Sequence, residues 1–410
     1  MKVTLPQQRW YGDIQTEITI PENWETEVVG TKGDELPALT YQQMKEKVDK
    51  PVGTKTIKEL AEGKKKAAII FDDITRGTPI KELAHIVLEE LHAAGMTKDN
   101  IIFVCALGMH GAESRIDFEK KLGEDIVREY YVFNHDPFIN LEYVGTTPAG
   151  TPVKINKEVA SCDLKIGIGA MTPHPFNAFG GGCKILLPGV SSYETVRYNH
   201  EFSMGRILKK NMGFASQMGN LDNREMREDI ENAGRLAGLN FKIDTILNTN
   251  CEIVDLFAGD PVEEYYAAIP RAKELYHNHI DGKRDVVIVN ANAKLNEAIT
   301  ARSIGEQFVK EGGDIVIINF APTGQVTHYL AGPWGKEIGG PMFPQPKHKD
   351  NVNRLIIYTP YPDRTSELYF GTPDQVIWAE TWEQVLDILS DHGDGTTSVV
   401  IRDGTIQYLT

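Results

Sequence analysis

From Lys66 onward the chain alternates short apolar runs with longer stretches of mixed polarity. Ala67 to Phe71 is a continuous apolar run of strand length, as expected for a strand buried on both faces. Asp72 to Thr78 is polar and predicts a loop. Lys81 to Ala94 then places its apolar residues at helical spacing behind Pro79, whose missing N–H costs nothing in a first turn. The unit repeats: Asn100 to Ala106 as a strand, Leu107 to Gly111 as a loop and Glu113 to Leu122 as a helix. Tyr130 to Phe133 is another strand, ending in Asn134-His135-Asp136. Thr146 to Gly150 has the composition of a hairpin turn, and Asp163 to Ile168 is a further strand that runs into a Gly/Pro-rich loop from Gly169 to Gly189.

Ser191 followed three residues later by Glu194 predicts a capping box and a helix that carries His200. Met226 to Ala237 reads as helix, Phe241–Leu247 and Ile253–Phe257 as strands, and Asp260 to His277 as helix. After a polar linker at Asn278 to Lys283, a second series begins. It has strands at Asp285–Asn290, Asp314–Asn319, Leu355–Thr359 and Val376–Trp378, and helices at Asn296–Glu311 and Trp382–Asp391. Ser398 to Tyr408 predicts a terminal hairpin turning at Asp403-Gly404, and residues 1–40 a small antiparallel arm. Strands alternating with helices predict an α/β protein of two Rossmann-like domains, 1–277 and 278–410, with mostly parallel sheets and an active-site cleft between them.

Composition narrows the function classes. With 41% hydrophobic and 25% charged residues the chain is ordinary globular protein. A formal charge of -15 argues against nucleic acid, whose binding needs a basic face; Lys64-Lys65-Lys66 reads as a solvated strand edge. The four cysteines, Cys105, Cys162, Cys183 and Cys251, form no CxxC pair, and Cys105 and Cys162 read as core thiols. Neither a signal core nor a membrane-length apolar run is visible, so the expected location is the cytoplasm, without membrane association.

In open α/β sheets ligands bind beyond the carboxyl ends of the strands. Asp72, Asp73, Thr75 and Arg76 follow the first strand, Met109 and His110 the second, His135 and Asp136 the third, and His174 with Gly180 to Lys184 the fourth. Three histidines, an arginine and a lysine thus share one predicted edge. Arg76 either binds a substrate anion or pairs with Asp72 or Asp73. Gly180, Gly181 and Gly182 before Lys184 either form a turn or admit a phosphate to the backbone. The spacing is not that of a P-loop, and Gly167-Ile168-Gly169 lacks the third glycine of a dinucleotide fingerprint. His277 and His279, two apart on a helix end, do not share a face and read as solvated.

The segment Pro173-His174-Pro175-Phe176, Phe179, Gly181-Gly182 and Lys184, followed by Pro188-Gly189 and Asn199-His200, resembles the core of the lactate racemase family. The likeness extends to Asp73-Ile74-Thr75-Arg76 with Pro79, to Gly108-Met109-His110, to Asn134-His135-Asp136, to Asn232–Phe241 and to Phe257–Asp260, and so covers residues 65–270 well and the rest loosely.

The resemblance implies a 2-hydroxy acid racemase or epimerase that uses a nickel-pincer nucleotide, the Ni(II) complex of a pyridinium-3-thioamide-5-thiocarboxylic acid mononucleotide. Lys184 matches the lysine that holds this cofactor through a thioamide, and His200 matches the protein's nickel ligand. His110 and His174 match the two acid/base histidines, and Arg76 the residue that steadies the substrate carboxylate. Asp73, Thr75, Gly181 and Gly182 fall among the cofactor-binding positions. The implied partners are a small 2-hydroxy acid and the proteins that make the cofactor; protein from a host lacking them is expected to be apo. This chain departs from the family pattern after His110, where Gly111-Ala112-Glu113 stands in place of Arg-Pro. It departs again in the second domain, where Thr300, Arg302 and Ser303 replace a Gln/Lys pair. These departures point away from lactate and toward a larger, more polar acid such as an aldonate, with Thr300, Arg302, Ser303 and Trp334, and also His328, as candidate substrate contacts. The competing reading is an NAD- or metal-dependent 2-hydroxy acid dehydrogenase, which needs a complete fingerprint or a His/carboxylate metal set.

Overall fold

The structure is a computed structural model that describes residues 1–209, 218–222, 224–330 and 349–410. It divides into two compact units, Glu35–Glu274 and a second made of Met1–Asp34 together with Leu275–Thr410.

The unit Glu35–Glu274 is built on a six-stranded sheet of β1 (Ala67–Asp72), β2 (Ile101–Ala106), β3 (Tyr131–Asn134), β4 (Leu164–Ala170), β5 (Phe241–Leu247) and β6 (Ile253–Gly259). Their spatial order is β3-β2-β1-β4-β5-β6. Every pair is parallel except β5 with β6. The order reverses between β1 and β4, and the crevice beyond that switch point is where a doubly wound sheet binds ligands. All residues of β1 and β2 are buried, as a sheet covered on both faces requires. On one face Ile69, Phe71, Phe103, Ile166, Ile168 and Phe241 form a continuous core with Leu83, Val87 and Leu91 of α1 (Lys81–Ala93). Each such fully buried side chain contributes roughly 1.5–3 kcal/mol of transfer free energy. The helices that frame the site are α2 (Arg115–Leu122), α3 (Tyr193–Lys209) and α4 (Glu225–Ala237). The predicted turn at Thr146 to Gly150 does join an antiparallel pair, Leu141–Thr146 with Pro152–Asn156.

In the other unit β7 (Arg284–Asn290), β8 (Val309–Ile318), β9 (Val352–Tyr358), β10 (Val376–Ala379) and β11 (Thr397–Ile401) form an all-parallel sheet in the order β10-β9-β8-β7-β11. Its sixth strand is Glu25–Val29, paired with β11 so that Val28 faces Val400. The expected division at 1–277 and 278–410 is therefore different at its start, since residues 1–34 group with the C-terminal sheet. Strand Glu25–Val29 is a half-exposed edge whose partner is far along the chain, and no local pattern announces that pairing. The antiparallel arm is present ahead of it, Lys2–Gln7 against Ile14–Thr19.

Three local expectations are corrected. The terminal hairpin does not form: buried Asp403 accepts the N–H groups of Asn292, Ala293 and Thr405, which anchors the Asp-Gly turn on the loop after β7. Tyr408–Leu409 then pairs in parallel with His277–Asn278. That same pairing takes His277 out of a helix end: it stacks on Tyr408 at 5.0 Å, while exposed His279 bonds Asp281. The cap of α3 is Ser192, whose hydroxyl accepts the Thr195 N–H at 3.2 Å; Ser191 instead donates to the carbonyl of Leu186. The cysteines are all buried and free. Among the described residues no helix is long and apolar enough to cross a membrane.

Candidate active site

Two hydrogen-bonded groups stand at the carboxyl ends of the neighbouring strands β1 and β4. The first begins with the last residue of β1. Asp72 receives the fully buried ammonium of Lys121 at 2.6 Å and the Thr78 hydroxyl at 2.6 Å. Lys121 also donates to the carbonyls of Arg76 and Thr78, each at 3.1 Å, so one buried cation shapes the whole loop. Asp73 accepts from His110 Nδ1 through Oδ2 at 2.5 Å, and from the N–H and hydroxyl of Thr75 through Oδ1. Burial acts to raise the Asp73 carboxyl, but the charge and hydrogen bond of His110, with Arg76 and Thr75, outweigh it and hold Asp73 below the usual carboxylate range. An ionised Asp73 fixes the Nδ1–H tautomer of His110, which makes Nε2 the basic nitrogen of the ring. Arg76 donates to Thr75 Oγ1 at 2.7 Å. Asp73 and Thr75, expected among the cofactor contacts, are hydrogen-bonded to His110 and Arg76 respectively.

The second group follows β4. His174 Nε2 lies 3.0 Å from Lys184 Nζ, and its Nδ1 accepts the Phe176 N–H at 3.1 Å. The Phe176 ring stands against both His174 and His200, with centroids at 5.8 and 6.4 Å. His200, on α3, donates from Nδ1 to the Val196 carbonyl at 3.0 Å, which leaves its Nε2 lone pair available to a metal. Burial first, and then the charge of Lys184, push His200 down to about 4, so the ring is neutral at pH 7, as a ligand must be.

The glycines before Lys184 have a structural reason. Gly181 and Gly182 have φ of +85° and +56°, a region glycine enters without penalty. A Cβ at Gly181 would stand 2.5 Å from the Asp244 carboxylate. The Gly182 N–H is taken by Asp244, and Arg227 donates to the carbonyls of Phe179 and Gly181. The Gly182 amide is thus already bonded within the protein, and the loop is clamped from below. Gly167 is explained the same way: a side chain there would meet Ile185 at 2.6 Å, so its absence lets the Lys184 turn lie directly on β4. The two groups are joined by Gly108, whose N–H donates to the Gly189 carbonyl at 2.8 Å, and by Gly189, whose N–H donates to the Lys184 carbonyl at 3.1 Å.

A model of the lactate racemase N-terminal domain matches residues 11–211. A lactate racemase of Thermoanaerobacterium thermosaccharolyticum is 28% identical over 317 residues, 75% of this chain and 72% of that protein. One of Lactiplantibacillus plantarum is 29% identical over 310 residues, 74% and 72% respectively. This chain belongs to the lactate racemase family. It is accordingly an isomerase, a racemase by class. In fold it matches the lactate racemase apoprotein of T. thermosaccharolyticum with a TM-score of 0.74 at 23% identity, covering 100% of both chains. It also matches a Thermotoga maritima protein with 0.64 at 20%, covering 91% of this chain and 99% of that one.

Within this lactate racemase family chain the remaining candidates fall elsewhere. His135 is buried, donates from Nε2 to the Ser191 carbonyl at 2.9 Å, and so ties the stretch between Lys184 and His200 to β3. Thr300, Arg302 and Ser303 lie on α6 (Ile299–Phe308) of the other unit; α5 (Glu263–Tyr276) is the helix that precedes it. There Arg302 donates to the carbonyls of Phe370 and Tyr369 and Ser303 to that of Ile299, bonds that hold their own unit together. His328 Nδ1 accepts the Leu330 N–H, and Trp334 lies outside the described residues. Sequence reading missed Lys121, Glu113, Asp244 and Arg227. Of these Asp244 had a signal: with Lys242 it places two opposite charges on one face of an otherwise apolar strand, and the pair is fully buried.

Proposed function

We propose that this chain inverts the hydroxyl-bearing 2-carbon of a 2-hydroxy acid with a nickel-pincer nucleotide, and that the acid is larger and more polar than lactate, of the aldonate kind. The observation that supports this most is the meeting of Lys184 with His174 beside a neutral His200 whose Nδ1 is already bonded. His200 would hold the nickel through its Nε2 lone pair and Lys184 would carry the nucleotide, and the Lys184 charge already acts on the His200 ring. When bound, the nucleotide supplies a centre that accepts hydride from the substrate carbon and returns it.

The chain's own residues then have plain tasks. His110, oriented by Asp73, takes the substrate O–H proton through Nε2; His174 serves the opposite configuration once its ring gives up the Phe176 N–H, because a neutral ring whose Nδ1 accepts carries its proton on Nε2. Imidazole, with an unperturbed pKa near ~6.5, serves both directions. Arg76 holds the carboxylate while the carbon changes shape. After His110 the small Gly111 and Ala112 stand where the family pattern has Arg-Pro, the basis for proposing a substrate longer than lactate.

Protein coexpressed with the cofactor-making enzymes is the material for the test, by intact mass and metal analysis. A nucleotide-sized adduct that is lost in Lys184→Ala, and nickel that is lost in His200→Ala with the adduct retained, support the reading. An unmodified mass with tightly bound NAD overturns it in favour of a dehydrogenase. A screen of 2-hydroxy acids for inversion at the 2-position identifies the substrate, and a preference for lactate over every aldonate refutes that part.

A further inference from the structure

We infer that Glu113 is a positioning residue of the Asp73–His110 pair, a second carboxyl behind the first that fixes the backbone between Asp73 and Arg76 and sets how firmly His110 holds its proton. This rests on the reading of His110 as an acid/base group.

Glu113 follows the His110 loop and directly precedes Ser114, the cap of α2. It is held twice. Asn134, at the end of β3, accepts the Glu113 N–H at 3.2 Å and donates to its carbonyl at 2.8 Å. The side chain turns inward, where Oε1 accepts the Ile74 N–H and Oε2 accepts from the Cys105 thiol at 3.5 Å. Ile74 lies between the carboxylate that orients His110 and the Thr75–Arg76 pair, so this one bond pins the middle of the catalytic loop. The titratable and charged groups that face Glu113 are Asp73 after β1, Cys105 on β2 and Lys121 on α2; His110 lies beyond Asp73.

An amide would hold Ile74 as well, so the acid has a further consequence. Burial first, and then the nearby Asp73 charge, push Glu113 up to about 8, with the Ile74 N–H and Lys121 acting in the other direction. At neutral pH the two carboxyls therefore stand in opposite states, Asp73 ionised and Glu113 protonated, a division that adjacent acids adopt when their surroundings separate them. As pH rises through about 8 a second negative charge appears behind Asp73. It favours the imidazolium of His110 and so carries that ring's own deprotonation to a higher pH than an uncharged neighbour would. Glu113 thus tunes the proton affinity of His110 without touching substrate.

Histidine-ring nitrogen NMR on the full chain without cofactor, from about pH 5 to about pH 10, tests this in wild type, Glu113→Gln and Glu113→Ala. His110 is expected to show its own titration and a second displacement near 8 in wild type. Glu113→Gln should abolish the second displacement yet leave the Ile74 amide resonance in place; Glu113→Ala should lose both. The inference is overturned if the second displacement is missing in wild type or persists in Glu113→Gln, with thermal melting used to show that both chains are folded. Loss of the Ile74 signal in Glu113→Gln also counts against it. NMR coupling without any inversion of 2-hydroxy acids would refute the assigned reaction and leave the coupling standing.

Discussion

Replacing Lys121 with methionine keeps most of the side-chain volume and removes only the buried charge. In the native loop that ammonium sits at 0% exposure against Asp72 at 2.6 Å and bonds two carbonyls. Without it, Asp72 is left as an uncompensated buried carboxylate and the carbonyls of Arg76 and Thr78 lose a donor. Breaking a buried ion pair from one side costs about 3–5 kcal/mol. At about 2–4 °C per kcal/mol for a unit of this size, Tm should fall by roughly 6–20 °C. Differential scanning fluorimetry and urea unfolding of the apo chain measure this directly. The double variant Lys121→Met with Asp72→Asn should recover most of the loss, because it removes the orphaned charge as well. A single-variant loss under about 1 kcal/mol, or a double variant no more stable than the single, refutes the claim that this pair shapes the Asp72–Thr78 loop.

Asp73→Asn keeps the shape but no longer favours the Nδ1–H tautomer or an imidazolium at His110; kcat/KM for inversion should fall about 10²–10⁴-fold with Tm little changed, and retention of near-full activity would show that Asp73 does not orient His110. Burial pushes His135 down to about 4. Its folded pKa lies below its unfolded one, so the unfolded chain binds more protons between them; the contribution is complete above about 6.5 and is lost as pH falls toward 4, on the order of 3 kcal/mol in all. A stability–pH curve that has the same slope in His135→Gln as in wild type would contradict this. Gly181→Ala forces a Cβ to 2.5 Å from Asp244 at φ +85°, so the clamp under Lys184 should loosen, with a stability loss of about 1–3 kcal/mol and a lower yield of the cofactor adduct. A fully stable variant that loads normally would show that the glycine is dispensable.

Much of the first unit was legible because its signals are local. The apolar runs at Ala67–Phe71, Asn100–Ala106 and Phe241–Leu247 have strand length and nothing else to do but be buried, and a parallel sheet places whatever follows them on one edge. That logic put Arg76, His110, His174 and Lys184 together before any coordinates, and the motif likeness added His200. The sequence did not determine which polar partner each would take. Asp73 and Thr75 carry the same side chains whether they face a nucleotide or His110; only the packing of β1 against β2 brought the carboxylate to the imidazole. Lys120 and Lys121 are indistinguishable in composition, and the helical phase of α2 alone decided that one is half-buried and the other sealed against Asp72. Glu25–Val29 paired with β11, and Tyr408–Leu409 with His277–Asn278 instead of folding back, because strand partners are chosen by long-range complementarity and by where buried Asp403 anchors its turn. Periodicity and turn chemistry act over a few residues, and so they fix elements; pairing, protonation and hydrogen-bond assignment depend on neighbours hundreds of positions away, and exist only once the chain has closed on itself.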